Sequence, residues 1–262
     1  MSRSSAGSIC FASFRALAFA ALASAAASGA AAQPVGISQP TGVVELFTSQ
    51  GCSSCPPADR VMTELSKSQD TLALSWHVDY WDYLGWKDTF GSPESTKRQR
   101  AYAIGLGSRS VYTPQAVING RLDIVGSRGK AVADALDAMA GTPEGLSASA
   151  IRAEAERGVL TITVPQGPKS AGSTLWMVYF DHGSTVAVTR GENKGREIVY
   201  SNVVRSMEMI GMVGDKPLVA EFRLEDMGRR GYDSCALILQ KKTAEGAPGP
   251  IVSALVIGDL PR

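Results

Sequence analysis

The stretch Val43-Val44-Glu45-Leu46-Phe47-Thr48-Ser49-Gln50-Gly51-Cys52-Ser53-Ser54-Cys55-Pro56-Pro57-Ala58-Asp59 decides how the chain begins to fold. Residues 43–47 are apolar and β-prone apart from Glu45 and predict a short strand. Ser49-Gln50-Gly51 predicts a turn that presents the cysteine pair. Pro56 and Pro57 are tolerated only near a helix start, where the first N–H groups lack intrahelical acceptors, and Val61, Met62 and Leu65 follow at helical spacing. The order is strand, cysteine pair, helix. Because each proline disfavours αR geometry in the residue before it, Cys55 is expected to depart from regular helix.

Cys52 and Cys55 enclose two residues, whereas a structural disulfide gains most by closing a long loop. Reactivity or metal ligation explains the pair better. At this spacing a dithiol cycles between thiol and disulfide with little backbone motion, and a helix N-terminus favours the thiolate of the first sulfur. Cys52 is therefore the expected attacking thiolate. It would open a substrate disulfide, and Cys55, one helical turn onward, would resolve the mixed disulfide.

Working back from this stretch, Arg3 and Arg15 precede an alanine-dominated apolar run from Ala16, and Ala30-Ala31-Ala32 offers a small-residue cleavage site. Residues 1–32 are thus expected to be an export signal, with Cys10 inside it, and residues 33–42 a flexible lead-in. An exported protein meets an oxidising compartment, so the expected location is periplasmic or secreted. No further membrane span is expected. The formal net charge is +1, from 26 basic and 25 acidic residues, with no run of either sign. Nucleic acid is therefore not an expected partner.

Working forward, a strand over Leu72–Val78 precedes the aromatic stretch Tyr80-Trp81-Asp82-Tyr83-Leu84-Gly85-Trp86, and a polar helix is predicted over about Pro93–Ile104. Strands Gln115–Ile118 and Leu122–Val125 are joined through Asn119-Gly120, a dipeptide suited to the positive φ angles of a tight hairpin turn. A helix over about Gly129–Met139 closes the unit. Composition shifts at Gly141–Gly145. Beyond it lie β-type runs at about Ala148–Ala153, Val159–Val164, Ser173–Phe180, Thr185–Thr189, Ile198–Ser206, Leu218–Leu224, Cys235–Gln240 and Ile251–Ile257. Their spacing suggests a β-sandwich-like second domain over residues 146–262, after an α/β domain over 43–141.

With the strand Val43–Phe47, the Cys52–Cys55 motif at a helix start and Thr113-Pro114 opening a strand before a hairpin, the first domain resembles the thioredoxin superfamily. The longer string Glu45–Asp59, with His77-Val78-Asp79-Tyr80-Trp81-Asp82 and Thr113-Pro114-Gln115, resembles a bacterial family of uncharacterised secreted thioredoxin-like proteins. The resemblance implies a central mixed sheet with flanking helices. It also implies a cis bond before Pro114, with Thr113 and Pro114 beside the cysteine pair receiving substrate. Glu45 matches, after a one-residue gap, the buried acid that helps move the proton of the resolving thiol. Ser53-Ser54 departs from the family's usual intervening dipeptides, which leaves open whether clients are reduced or oxidised.

Tyr80 and Trp81 are candidates for a client-binding rim, since they follow a parallel strand whose end shares an edge with Cys52; anchoring a long insertion to the core is the alternative. The sequence supports an exported thiol-disulfide oxidoreductase acting on a protein or thiol client through a mixed disulfide, with an unidentified redox partner and no cofactor. His77 with both cysteines would also suit Cu(I) or Zn(II), which makes a metal-delivery protein the rival, although no fourth ligand is identified and no metal residues are assigned. A non-catalytic binding module with a fixed local disulfide is the third reading. Cys235, in an apolar run, is expected to be a buried hydrophobe, and Gly191–Arg196 a solvated loop.

Overall fold

Residues 43–47 do lie in a strand, and it is an interior strand of a sheet with helices on both faces. The computed structural model describes residues 35–261. The expected export signal at residues 1–32 falls outside them. In chain order the elements are β1 (Gly36–Ser38), β2 (Gly42–Thr48), α1 (Pro56–Leu65), β3 (Thr71–His77), a 3-10 turn (Asp82–Leu84), α2 (Pro93–Gly105), β4 (Gln115–Ile118), β5 (Leu122–Val125) and α3 (Gly129–Met139). Then follow β6 (Arg152–Glu156), β7 (Val159–Val164), β8 (Thr174–Ala187), β9 (Glu197–Met212), β10 (Leu218–Arg223), α4 (Leu224–Gly228), β11 (Ser234–Lys242) and β12 (Pro248–Gly258).

Among the described residues the main sheet has nine strands in the order β1-β12-β11-β8-β9-β3-β2-β4-β5, and a second sheet has the order β10-β7-β6. β2 pairs in parallel with β3 and antiparallel with β4, so the main sheet is mixed. The hairpin turns at Asn119 (φ 48°) and Gly120 (φ 65°), as that dipeptide predicts. Asn119 is also buried, and its Oδ1 accepts from the Val43 N–H at 2.7 Å, tying the turn to β2. A Cβ at Gly120 would lie 2.3 Å from the Gly249 carbonyl oxygen, so that approach requires glycine.

Alternation along β2 divides the core. Val44 and Leu46 pack with Ala58 and Met62 of α1 and Val132 of α3, while Val43 and Phe47 pack with Tyr102 of α2 and Trp76. In the second half two sheets pack face to face: Leu160, Ile162 and Val164 of β7 bury against Leu175, Met177, Tyr179, Leu237 and Leu239. One of those sheets, however, is the main sheet itself. β3 and β9 pair in parallel at Ser75 and Val203, so long-range pairing joins strands from both halves. All the described residues fall within one compact unit.

Several boundaries differ from expectation. The two runs at 173–180 and 185–189 are one strand, β8, because the β9 ladder carries through polar Asp181 and His182 to Ala187. The lead-in contains β1, held by pairing with the distant β12. At Cys55 (φ −78°, ψ −37°) the backbone is αR despite the following proline, with amides of α1 donating to its carbonyl oxygen.

Candidate functional site

Cys52 and Cys55 are joined in a disulfide between the end of β2 and the start of α1, with an S–S length of 2.07 Å. The Cys55 N–H donates to the Cys52 carbonyl, and the amides of Ala58 and Asp59 donate to that of Cys55. Pro56 and Pro57 offer no N–H at the start of α1, and two hydroxyls lie near the first sulfur. Thr113 Oγ1 lies 3.3 Å and Ser54 Oγ 3.4 Å from Cys52 Sγ. Both stabilise a thiolate when they donate to it. Cys52 is 1% exposed and Cys55 fully buried, whereas Ser53 and Ser54 face solvent.

The bond between Thr113 and Pro114 is cis, and Thr113 reaches the disulfide as described. Trp81 Nε1 donates to Thr113 Oγ1 at 2.8 Å, giving a chain from indole through hydroxyl to sulfur. Tyr80 stands beside Trp81, with ring centroids 6.0 Å apart, and its hydroxyl donates to Gln99 on α2 and also meets the Thr113 side chain. The structure therefore gathers Cys52, Cys55, Thr113, Pro114, Trp81 and Tyr80.

Glu45 is not brought to the pair. It shares the α2 face of β2 with Val43 and Phe47, opposite to α1, and is fully buried. Arg98 binds it through two bonds, Nε to Oε1 at 2.6 Å and Nη2 to Oε2 at 2.9 Å, and the Tyr102 hydroxyl donates to Oε2. Burial alone would lower the Arg98 pKa, but the Glu45 carboxylate outweighs it and holds the guanidinium charged. The one-residue gap in the match is a change of strand face. Leu46, not Glu45, points toward α1.

The acid that does lie on the α1 side is Asp59. It is buried one turn after Cys55, accepts a hydrogen bond from Thr48 Oγ1 at 2.7 Å, and burial pushes its carboxyl up to about 7. His77 is also buried, with Nδ1 2.8 Å from Asp88 Oδ2. Burial alone would raise the Asp88 pKa, but His77 and the N–H groups of Gln50 and Phe90 hold it below the usual value. Among the described residues no group of three or more His, Cys, Asp or Glu side chains is arranged to hold a metal ion. The sequence signal for Asp59 was its i+4 spacing from Cys55 on a helix with one buried face.

The loop at Gly191–Arg196 is exposed at Glu192, Lys194, Gly195 and Arg196, as expected of a solvated loop, and it also straps the cysteine loop through Asn193. Asn193 is buried and its Nδ2 donates to the carbonyls of Gln50 and Cys52, each at 2.9 Å, while Ser53 N–H donates to Glu192 Oε2. The strap arrives because β8 and β9 pair close by. Beside it, a groove is lined by Pro56, Arg60 and Thr63 of α1 and by Arg196, Ile198 and Val199. Cys235 is buried, which pushes its thiol up to about 12. No helix of the described residues is long and apolar enough to cross a membrane.

No curated protein matches the chain. A crystal structure of a protein from Agrobacterium tumefaciens is 34% identical, covering 85% of this chain and 96% of that one, with a TM-score of 0.73. The structure of HBP35 of Porphyromonas gingivalis is 13% identical, covering 83% of this chain and 74% of that one, with a TM-score of 0.56, and is similar in fold alone. The family described as a protein of unknown function (DUF1223) matches residues 43–240, and the chain belongs to it.

Proposed function

We propose that the protein is an exported thiol-disulfide oxidoreductase with a thioredoxin-like unit over residues 43–141, in which Cys52 is the attacking sulfur and Cys55 the resolving one. The observation that carries this reading is the Cys52–Cys55 disulfide at the start of α1, with Thr113 Oγ1 3.3 Å from Cys52 Sγ. Thr113 and Pro114 are the receiving edge for a client, and Trp81 fixes the Thr113 hydroxyl. In the reducing direction, a Cys52 thiolate attacks a client disulfide, one client sulfur leaves as thiolate, and a mixed disulfide forms. Deprotonated Cys55 then attacks Cys52 Sγ, the second client sulfur leaves, and the enzyme pair is oxidised while the client disulfide is reduced. The reverse sequence oxidises a client dithiol.

The burial of both sulfurs favours a second reading, a binding module whose disulfide is fixed. Equilibration in glutathione and dithiothreitol buffers, with free thiols trapped at each poise, separates the two. The oxidoreductase reading expects a midpoint within reach of these buffers. It also expects a Cys55→Ser chain to retain a mixed disulfide through Cys52. A pair that stays oxidised at the most reducing poise, together with no mixed disulfide on Cys55→Ser, overturns it. Export is tested by the mass of the protein from the periplasmic fraction, expected to begin near Gln33.

A further inference from the structure

Among the described residues, the buried side-chain atoms without a hydrogen-bond partner include Asp59 Oδ2 on α1, His77 Nε2 on β3 and Tyr200 Oη on β9. Their residues are neighbours. The rings of His77 and Tyr200 meet edge to face with centroids 4.7 Å apart, and Asp59 is close enough to feel the charges of both His77 and Asp88. Thr48 on β2 binds Asp59 Oδ1, Asp88 in the loop before α2 holds His77 Nδ1, and Arg60 lies beside Asp59 on α1 at the surface. Ser201 and Thr63 share a hydrogen bond between β9 and α1, and Thr63 also donates to the Asp59 carbonyl oxygen.

This enclosure does not suit a carboxylate. An ionised Asp59 would be buried with Thr48 as its one hydrogen-bond donor, whereas the carboxylic acid loses less there. Its carboxyl is accordingly pushed up to about 7 by burial, against the opposing pull of Thr48 and His77. The Asp59 amide donates to the Cys55 carbonyl at 3.1 Å, so the two side chains leave α1 one turn apart on the same side.

We propose that Asp59 is the buried group that exchanges a proton with the Cys55 sulfur as the disulfide opens and closes. The proposal rests on the oxidoreductase reading. When a dithiol client reduces the pair, its thiolate attacks Cys52 Sγ, the S–S bond breaks, and Cys55 leaves with the bonding electrons. The Asp59 proton passes to that sulfur, and the Asp59 carboxylate regains a proton from solvent. In the opposite direction the Asp59 carboxylate removes the Cys55 thiol proton, and the resulting thiolate attacks Cys52 Sγ in the mixed disulfide and expels the client thiolate. The acid thus belongs to the helix that carries the resolving cysteine, while the strand acid Glu45 is occupied by Arg98 on the other face.

The test is the rate at which dithiothreitol reduces the oxidised full chain from about pH 5 to about pH 9, divided at each pH by the concentration of dithiothreitol thiolate. The wild-type quotient is expected to fall about tenfold as pH rises through about 7, because an ionised Asp59 no longer supports the departing thiolate. Asp59→Asn, which keeps the shape of the neutral acid, is expected to give a flat profile. Thr48→Val removes the hydroxyl that favours the carboxylate and is expected to move the fall to higher pH. A flat wild-type profile, a fall that survives Asp59→Asn, or one unmoved by Thr48→Val overturns the assignment while leaving thiol exchange standing. A wild-type disulfide that dithiothreitol cannot reduce at any pH overturns the oxidoreductase reading instead.

Discussion

The side-chain amide of Asn193 donates to the carbonyl oxygen of Cys52 at 2.9 Å, across 141 residues of chain. The same Nδ2 donates to the Gln50 carbonyl, so one buried amide holds both ends of the turn that presents the first cysteine. The cysteine loop is therefore shaped by a strap from the second half of the chain.

Asn193→Ala leaves both carbonyls without that donor in a buried setting, a loss of about 2–3 kcal/mol. Chemical denaturation should show this loss. Thiol trapping during reduction should show faster attack on the disulfide, because the strap that covers it is released. Unchanged reduction kinetics in the folded variant would mean that the strap does not limit access.

Thr113→Val removes the hydroxyl that lies 3.3 Å from Cys52 Sγ and accepts from Trp81 Nε1. In a Cys55→Ala background the Cys52 thiolate loses a donor, and the pH midpoint of its alkylation should rise by about one unit. Iodoacetamide alkylation followed by mass spectrometry against pH measures it.

Arg98→Met removes the partner of a fully buried Glu45 and should cost about 3–5 kcal/mol, because the carboxylate is left inside the protein without its counter-charge. Below the unfolding transition the variant should keep wild-type thiol-exchange kinetics, since Glu45 lies on the opposite face of β2 from α1. Slower exchange in the folded variant would restore a redox role to Glu45.

Asp59 sets a pH dependence of stability with a definite direction. Its carboxyl has an ordinary value of 3.8 and is pushed up to about 7 in the folded chain, so between these values the folded state binds a proton that the unfolded state has released. Stability relative to Asp59→Asn is therefore highest below about 4 and falls as pH rises to about 7, by an amount on the order of 4 kcal/mol, and is level above. Urea unfolding of both chains at about pH 5 and about pH 8 checks the difference.

The strand before Cys52, the helix after Cys55 and the hairpin at Asn119-Gly120 were legible because each depends on neighbours in sequence: β-prone runs, proline at a helix start, and a dipeptide tolerant of positive φ. The cysteine pair itself was legible by spacing. The face on which Glu45 falls depends on where α1 and α2 dock, and Asn193 becomes part of the cysteine loop only because β8 and β9 bring it there. Asp59 likewise looks like an ordinary polar helix residue until β2, β3 and β9 close around it and remove water from its carboxyl. Local sequence thus determined the elements and the cysteine pair, because propensity and spacing act over a few residues. Only the tertiary structure decided which acid is buried beside that pair and what covers it, because burial and long-range hydrogen bonds exist only once distant segments meet.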